Sequence, residues 1–146
     1  MTVVTGDKEL DRYFATLTPK LQRGAIRKGV RAAGSAQVKE IRSNVKTMVG
    51  SDQTGRLRKS LGQRAWSRPK AGVIGTVVGP RYPDGAHGHL VEFGHEIVTK
   101  AGKNTGKRTR PIPFQRRAFD TGRAAVLEAQ RKKLKQAIQA QRDKAR

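Results

Sequence analysis

The chain has 146 residues, which suits one domain, 1–146, built around a single hydrophobic core. Hydrophobic residues make up only 35% of the sequence and aromatic residues 5%, so we expect a thin core that neighbouring subunits help to complete. The sequence has no cysteine, which excludes a disulfide framework, a thiolate zinc site and a cysteine nucleophile.

The formal net charge is +21, from 32 Lys and Arg against 11 Asp and Glu. Self-repulsion on this scale destabilises a compact monomer, so we expect an anionic partner. Nucleic acid and an acidic partner subunit both fit, and charge alone does not choose between them. Residues 1–11 lack the regions of a signal peptide, and no run of about 18 apolar residues occurs. We therefore expect a protein made in the cytoplasm with no membrane partner.

The first part of the chain predicts two helices. A short helix is predicted over 7–17, and a longer amphipathic helix over 19–46, where apolar or small residues recur every three or four positions. Pro19 suits the first position of the longer helix, with Thr18 as its N-cap. The apolar face of the short helix consists of Leu10, Tyr13, Phe14 and Leu17.

The middle of the chain predicts a β-hairpin. Residues 48–53 are expected to form a loop, and residues 54–61 a turn that leads into a short helical or extended piece. Strand-like residues around Trp66 and the β-branched run 73–78 flank a Pro- and Gly-containing turn. These features predict an antiparallel hairpin over 63–78.

The last part of the chain predicts a short apolar element, a loop and a second long helix. Residues 89–94 fit either a helical turn or a strand. Residues 95–110 combine glycines and cations without an apolar period, which predicts a mobile loop. A long helix is predicted beyond Pro113, and we expect its basic end, 131–146, to fray or project into solvent. Its apolar members are Phe114, Ala118, Phe119, Val126, Leu127, Leu134 and Ile138.

Residue types that support catalysis are scarce. His87, His89 and His95 are the only histidines, and they lie with Glu92 in a glycine-rich region. His89 and Glu92 have metal-like spacing, but the second histidine of a metalloprotease helix is missing and so few ligands would form a weak, open site. The sequence also lacks a Gly-x-Ser-x-Gly elbow, a P-loop and a dinucleotide-binding fingerprint. We predict no enzymatic activity, metal or cofactor.

Two basic stretches, one in the predicted loop and one in the last helix, make DNA a candidate partner. The aromatic residues Trp66, Phe93, Phe114 and Phe119 occupy positions where a core would place them, so we do not expect them to stack on bases. Contact with DNA is therefore expected to be non-specific, and an acidic protein surface is the alternative. The contact residues would be Lys100, Lys103, Lys107, Arg108, Arg110, Arg131, Lys132, Lys133 and Lys135.

Four short blocks follow one another along the chain. They are Thr54 to Leu61 (Thr-Gly-Arg-Leu-Arg-Lys-Ser-Leu), Val78-Gly79-Pro80, Val91-Glu92-Phe93-Gly94, and Pro111 to Phe119, which opens Pro-Ile-Pro-Phe. In this order they resemble the tail-completion or neck proteins of tailed bacteriophages, a family grouped with minor tail protein Z and the tail components of lambdoid phages. The resemblance covers about Ile26 to Leu127. Two departures are His95, where the family usually carries Thr, and the longer, more basic 95–110 loop.

The resemblance implies a non-enzymatic virion protein of the neck or upper tail. It implies a ring around the tail channel, for which tail symmetry suggests a hexamer and a portal-like dodecamer is the alternative. Its neighbours would be a connector or head-completion protein on one side and a tail terminator or tail tube on the other, with genomic DNA passing through. The alternative function is a non-specific nucleic-acid-binding protein.

The expected fold is α+β, with the long N-terminal helix and the C-terminal helix packed on a small antiparallel β-sheet. Gly55 and Gly94 are expected to turn the backbone with φ > 0, and Leu57, Val91 and Phe93 to provide apolar anchors. The residues of the blocks that we expect in packing or interfaces are Gly55, Leu57, Arg58, Ser60, Gly79, Pro80, Val91, Glu92, Phe93, Gly94, Pro113 and Phe114.

Two of these block residues carry more specific expectations. Pro113 and Phe114 are expected to start the last helix. Glu92 is an acid between apolar residues in a basic chain. An ion pair with Arg56 or Arg58 is the preferred interpretation of Glu92, and simple solvent exposure is the alternative.

Overall fold

The computed structural model describes Arg12, residues 15–49 and residues 55–144. Most of the helix predicted over 7–17 lies outside these residues, as do Leu10, Tyr13 and Phe14. Within the described part, the chain is an α+β fold with a long N-terminal and a long C-terminal helix, as predicted. It also has two short helices and two antiparallel hairpins.

The first long helix, α1, spans Pro19–Asn44. Thr18 occupies the N-cap with extended backbone and Pro19 the first turn, as predicted, although the Thr18 hydroxyl makes no capping hydrogen bond. Beyond Asn44 the backbone continues as a π-helical turn, Val45–Val49, so helical structure extends into the start of the loop predicted over 48–53. The apolar positions of α1 form one buried face that lines the core.

The first hairpin follows a short helix. Helix α2 spans Arg56–Ser60, strand β1 spans Leu61–Arg68 and strand β2 spans Val73–Pro80. The strands pair antiparallel, with Trp66 opposite Gly75, so the predicted hairpin is confirmed and is longer at both ends. Both strands pack against α1.

The segment 95–110 forms a second hairpin, which corrects the prediction of a loop. Helix α3 spans Gly88–Phe93, strand β3 spans Glu96–Val98 and strand β4 spans Asn104–Arg108. Every residue of β3 and β4 is exposed, and for that reason the sequence shows no alternation of apolar and polar residues there.

The second long helix, α4, spans Phe114–Lys144 and lies antiparallel along α1. The amide of Asn44 donates to the carbonyl of Phe114 at 3.1 Å, and Gly29 lies against Leu134 near the opposite end. Within the described residues, no helix is both long and apolar enough to cross a membrane.

The main core cluster lies where α1, α2, β1 and α4 meet. Its buried members are Val38, Ile41, Val45, Leu57, Leu61, Phe114 and Ala118. A smaller cluster joins Leu17 and Ala25 to Ala137 and Ile138 near the end of α4. The basic end of α4 is therefore packed against the start of α1 as far as Ile138, and the prediction that it projects into solvent is wrong for that part.

Candidate functional site

The block Val91 to Gly94 is bonded to the start of α4. Glu92 is only 5% exposed, and its carboxylate accepts hydrogen bonds from the backbone N–H groups of Gln115, at 2.8 Å, and Arg116, at 3.0 Å. The N–H of Ile112 also donates to the carbonyl of Val91 at 2.9 Å. Because the first N–H groups of a helix have no partner within it, a carboxylate at this position both satisfies them and stabilises the helix dipole.

These contacts change the interpretation of Glu92. The residue is buried, so simple solvent exposure is excluded, and its carboxylate accepts hydrogen bonds from the backbone of α4, a role that the sequence did not predict. Nothing in the sequence around Glu92 indicates that its carboxylate reaches the first turn of the next long helix.

Phe93 is not the buried anchor that the sequence predicted, because 71% of its surface is exposed. Successive residues of a helix point about 100° apart, so α3 cannot bury both Glu92 and Phe93 on the same side. Gly94 has φ +70, as predicted, and a Cβ there would meet the carbonyl oxygen of Thr109 at 2.5 Å. The block therefore fixes a tight corner and leaves a phenyl ring in solvent.

The block Thr54 to Leu61 contributes to the core. Gly55 has φ +63, Leu57 is 1% exposed, and the buried Ser60 hydroxyl donates to the carbonyl of Leu57 at 2.7 Å. Arg58 lies on the exposed side of α2. The predicted roles of Gly55 and Leu57 are confirmed.

The other two blocks are also packed. Pro80 lies against Gly85 and Gly88, where a Cβ would meet its ring at 2.5 and 2.7 Å, and Gly79 lies near the Gln115 side chain. Phe114 is fully buried and begins α4 directly after Pro113, as predicted. Val91 is half-buried at the edge of the main core.

The histidine region offers no assembled metal site. Across Arg12, 15–49 and 55–144, no group of three His, Asp or Glu side chains is placed to hold a metal ion. His95 contacts the Thr109 hydroxyl through Nδ1 at 3.1 Å, and both oxygens of Glu92 already accept backbone hydrogen bonds. These groups therefore hold the backbone at the base of the second hairpin.

An apolar groove of about 310 Å³ lies between α1, β2 and α4. Its walls include Gly34, Gln37, Val78, Phe119, Val126 and Leu127. Phe119 is 52% exposed and Leu127 42%, so Phe119 is not the core residue that the sequence predicted.

Gln37 adds a polar feature to the apolar groove. The residue is 4% exposed, and its Nε2 atom has no hydrogen-bond partner among the described residues. A buried amide without an acceptor is costly, and an exposed apolar surface with a few polar groups is typical of an interface.

Trp66 is also exposed, contrary to its predicted core position. It is 40% exposed, its ring lies on Gly75 of β2, and the guanidinium of Arg68 lies 5.7 Å from its ring centre. Of the four aromatic residues predicted in the core, Phe114 alone is buried there.

The two predicted basic stretches occupy separate places. The second hairpin and the residues beside it carry exposed cations near the start of α4, whereas Arg131 lies about 25 Å further along that helix. The residues predicted to contact anions are all exposed: Lys100, Lys103, Lys107, Arg108, Arg110, Arg131, Lys132, Lys133 and Lys135. They form two charged surfaces and not one continuous site.

The sequence matches a family model described as "Bacteriophage HK97-gp10, putative tail-component" over residues 8–94. Comparison with curated proteins and with solved structures finds no significant match. The match includes the first three blocks and ends at Gly94, so the Pro-x-Pro-Phe block and α4 lie beyond it. Because it spans more than half of the chain, the protein belongs to the HK97-gp10-like family of phage tail components.

Proposed function

We propose that this tail component is a ring-forming neck or tail-completion protein. In this role several copies surround the path of the DNA and join the tail to the head connector. The observation that carries the proposal is the exposure of large apolar side chains around the apolar groove of a tail-family protein. Such surfaces on small soluble domains usually mark sites of protein association.

A second copy is the proposed occupant of the apolar groove. Phe119 and Leu127 provide exposed apolar area on the walls of the groove. A contact between a groove on one copy and a different surface on the next is head-to-tail, and repeated head-to-tail contacts close into rings. A hexamer is the first expectation and a dodecamer the alternative.

The net charge of +21 supports anionic neighbours for such a ring. Copies of so basic a chain repel one another, and acidic partner proteins or the genomic DNA would offset that repulsion. The proposed protein neighbours are the connector or head-completion protein and the tail terminator or tail tube. The exposed second hairpin and the middle of α4 provide the cations for these contacts.

Mass measurement before and after mixing with virion parts tests the ring. We expect a monomer or weak oligomer that gains a defined stoichiometry in assembled tails. Phe119→Ser and Leu127→Ser should reduce the fraction of tails joined to heads. Val77→Ser is the matched control, because Val77 is 63% exposed on β2 but alternates away from the Thr76 and Val78 side chains that line the groove. An isolated chain that stays monomeric with every virion component would contradict the proposal.

Non-specific nucleic-acid binding is the alternative function, and the exposed cations of the second hairpin favour it. Replacing Lys103, Lys107, Arg108 and Arg110 by Gln should then weaken binding to unrelated duplexes about equally. The salt dependence should fall by roughly one counterion for each lost phosphate contact. Tight, salt-sensitive binding by the isolated monomer, without any ring, would favour this alternative.

A further inference from the structure

A polar cleft of about 580 Å³ is lined by none of the residues that the sequence predicted to contact anions. It is bordered by the end of α1, helix α2, the start of β1 and the residues that follow β2. Arg42, Lys59 and Arg81 line it together with one acid, Asp84. We call it the basic cleft.

The backbone of β1 holds both arginines of the basic cleft in place. Arg42 donates through Nη2 to the carbonyl of Leu61 at 2.9 Å, and Arg81 donates through Nη2 to the carbonyl of Gln63 at 2.6 Å. Carbonyls two residues apart on a strand point to the same side, so the two guanidinium groups lie along one edge of β1. Each guanidinium has five N–H groups, and each of these bonds occupies one of them.

Gly62 gives the Arg81 guanidinium its space. A Cβ at Gly62 would overlap the Nε, Cζ and Nη2 atoms of Arg81, so that guanidinium lies directly on the backbone of Gly62. The orientation of Arg81 therefore depends on the absence of a side chain at this position. An arginine that only covered the free edge of β1 would not need this close fit, because a side chain could reach the carbonyl of Gln63 without lying on the backbone of Gly62.

We propose that the basic cleft binds the carboxylate side chains of an acidic segment on a neighbouring virion protein. Guanidinium groups match carboxylates through paired N–H···O bonds, and groups already held in place lose less freedom on binding. Lys59 adds a third positive charge to the same cleft. The inference rests on the proposed function in that the acidic partner is another protein of the virion.

The shape and composition of the basic cleft favour a peptide over DNA. A recess admits an individual side chain, whereas duplex DNA presents a convex backbone that reaches protruding cations more easily. Asp84 can accept hydrogen bonds from the backbone N–H groups of a peptide, whereas the phosphate backbone of DNA has no such donors. Tyr82, which is 88% exposed, stands at the cleft and offers the aromatic contact common in protein interfaces.

Binding of a labelled hexaglutamate peptide to the isolated chain tests the proposal. Fluorescence anisotropy would be measured at about 0.15 M salt, where exposed charges more than about 8 Å apart are largely screened. The double variant Arg42→Gln/Arg81→Gln should lose about tenfold in affinity. The matched control Lys100→Gln/Lys103→Gln removes the same charge from the second hairpin and should change the affinity by less than about twofold.

Further variants separate binding from folding, since Arg42 and Arg81 also bond the backbone of β1. Lys59→Gln changes a cleft cation that has neither of these bonds, and it should weaken binding of the peptide by about twofold to threefold. Arg42→Lys/Arg81→Lys keeps the charge but loses the planar fork, so it should bind more weakly than the wild type. Circular dichroism and thermal melting would show that each variant is folded.

Two outcomes would overturn the proposal. Equal loss of peptide affinity in the cleft variant and the hairpin control would mean that attraction is diffuse. A loss of duplex DNA binding confined to the cleft variant, with peptide affinity unchanged, would make the cleft a phosphate site. The stoichiometry of assembled tails is measured separately, so failure of peptide binding leaves the ring proposal standing, and failure of the ring leaves the peptide result interpretable.

Discussion

The two hairpins of this protein are held by different interactions. The first, β1–β2, packs on α1, and Leu61 at its start is 2% exposed within the main core. The second, β3–β4, has no buried residue and contains side-chain hydrogen bonds to nearby backbone, such as Gly106 N–H to Asn104 Oδ1 at 2.9 Å. Tertiary packing thus determines the first hairpin, and local turn chemistry determines the second.

The largest expected effect contrasts the aromatic residues on either side of the second hairpin. Phe114→Ala should lower the free energy of unfolding by roughly 3–5 kcal/mol, because the ring is fully buried in the main core. Phe93→Ala should change it by less than about 0.5 kcal/mol, because its ring is mostly in solvent. Urea unfolding measures both. Similar losses for the two variants would mean that Phe93 is buried in solution.

Matched aliphatic residues compare the hairpins directly. Leu61→Ala in β1 should cost about 2–5 kcal/mol, whereas Ile97→Ala in β3, where the side chain is 39% exposed, should cost about 1 kcal/mol or less. Chemical denaturation gives the two values. A cost for Ile97→Ala as large as that for Leu61→Ala would show that the second hairpin is packed against another surface, for example in an oligomer.

Two glutamates, one on each side of Gly94, give an intermediate effect. Glu92→Gln should destabilise the fold by about 1–2 kcal/mol, because it weakens charge-assisted hydrogen bonds to the first turn of α4. Glu96→Gln, on exposed β3, should cost less than about 0.5 kcal/mol. Thermal melting at neutral pH distinguishes them. No difference between the variants would contradict the capping role of Glu92.

The smallest effect on global stability is expected within the second hairpin. Asn104→Ala removes hydrogen bonds to the Glu96 carboxylate and to the Gly106 N–H. Because no core residue is involved, we expect a global change below about 0.5 kcal/mol but faster amide hydrogen exchange across β3 and β4. The amides of β1 and β2 are the internal control. Faster exchange in both hairpins would mean that they open as one unit.

The sequence predicted those parts of the fold in which one face is buried. The apolar period from Ile26 to Ile41 in α1 and the β-branched run of β2 were sufficient to predict those elements and the packing between them. The turns at Gly55 and Gly94 were also predictable, since both have positive φ, which glycine adopts readily.

Features that depend on the meeting of distant residues were not predictable. Nothing local to Glu92 indicates a helix start more than twenty positions later, and Phe93 looks apolar enough to be buried. The second hairpin lacks a buried face, and its sequence therefore lacks the alternation of apolar and polar residues that predicts a strand. The basic cleft brings Arg42 and Arg81 together along one edge of β1, and no local sequence pattern indicates that these two residues lie close to each other.

The residues just before the second hairpin are bonded to the residues just after it. Gly94 lies against the carbonyl of Thr109, the N–H of Thr109 donates to the carbonyl of His95 at 2.9 Å, and Val91 is bonded to Ile112. Since these contacts hold the base of the second hairpin, the tip of the hairpin is free to change in length and sequence without disturbing the two long helices. The turn between Val98 and Asn104 is therefore a suitable insertion point for a peptide tag, which would locate this subunit in images of intact phage particles.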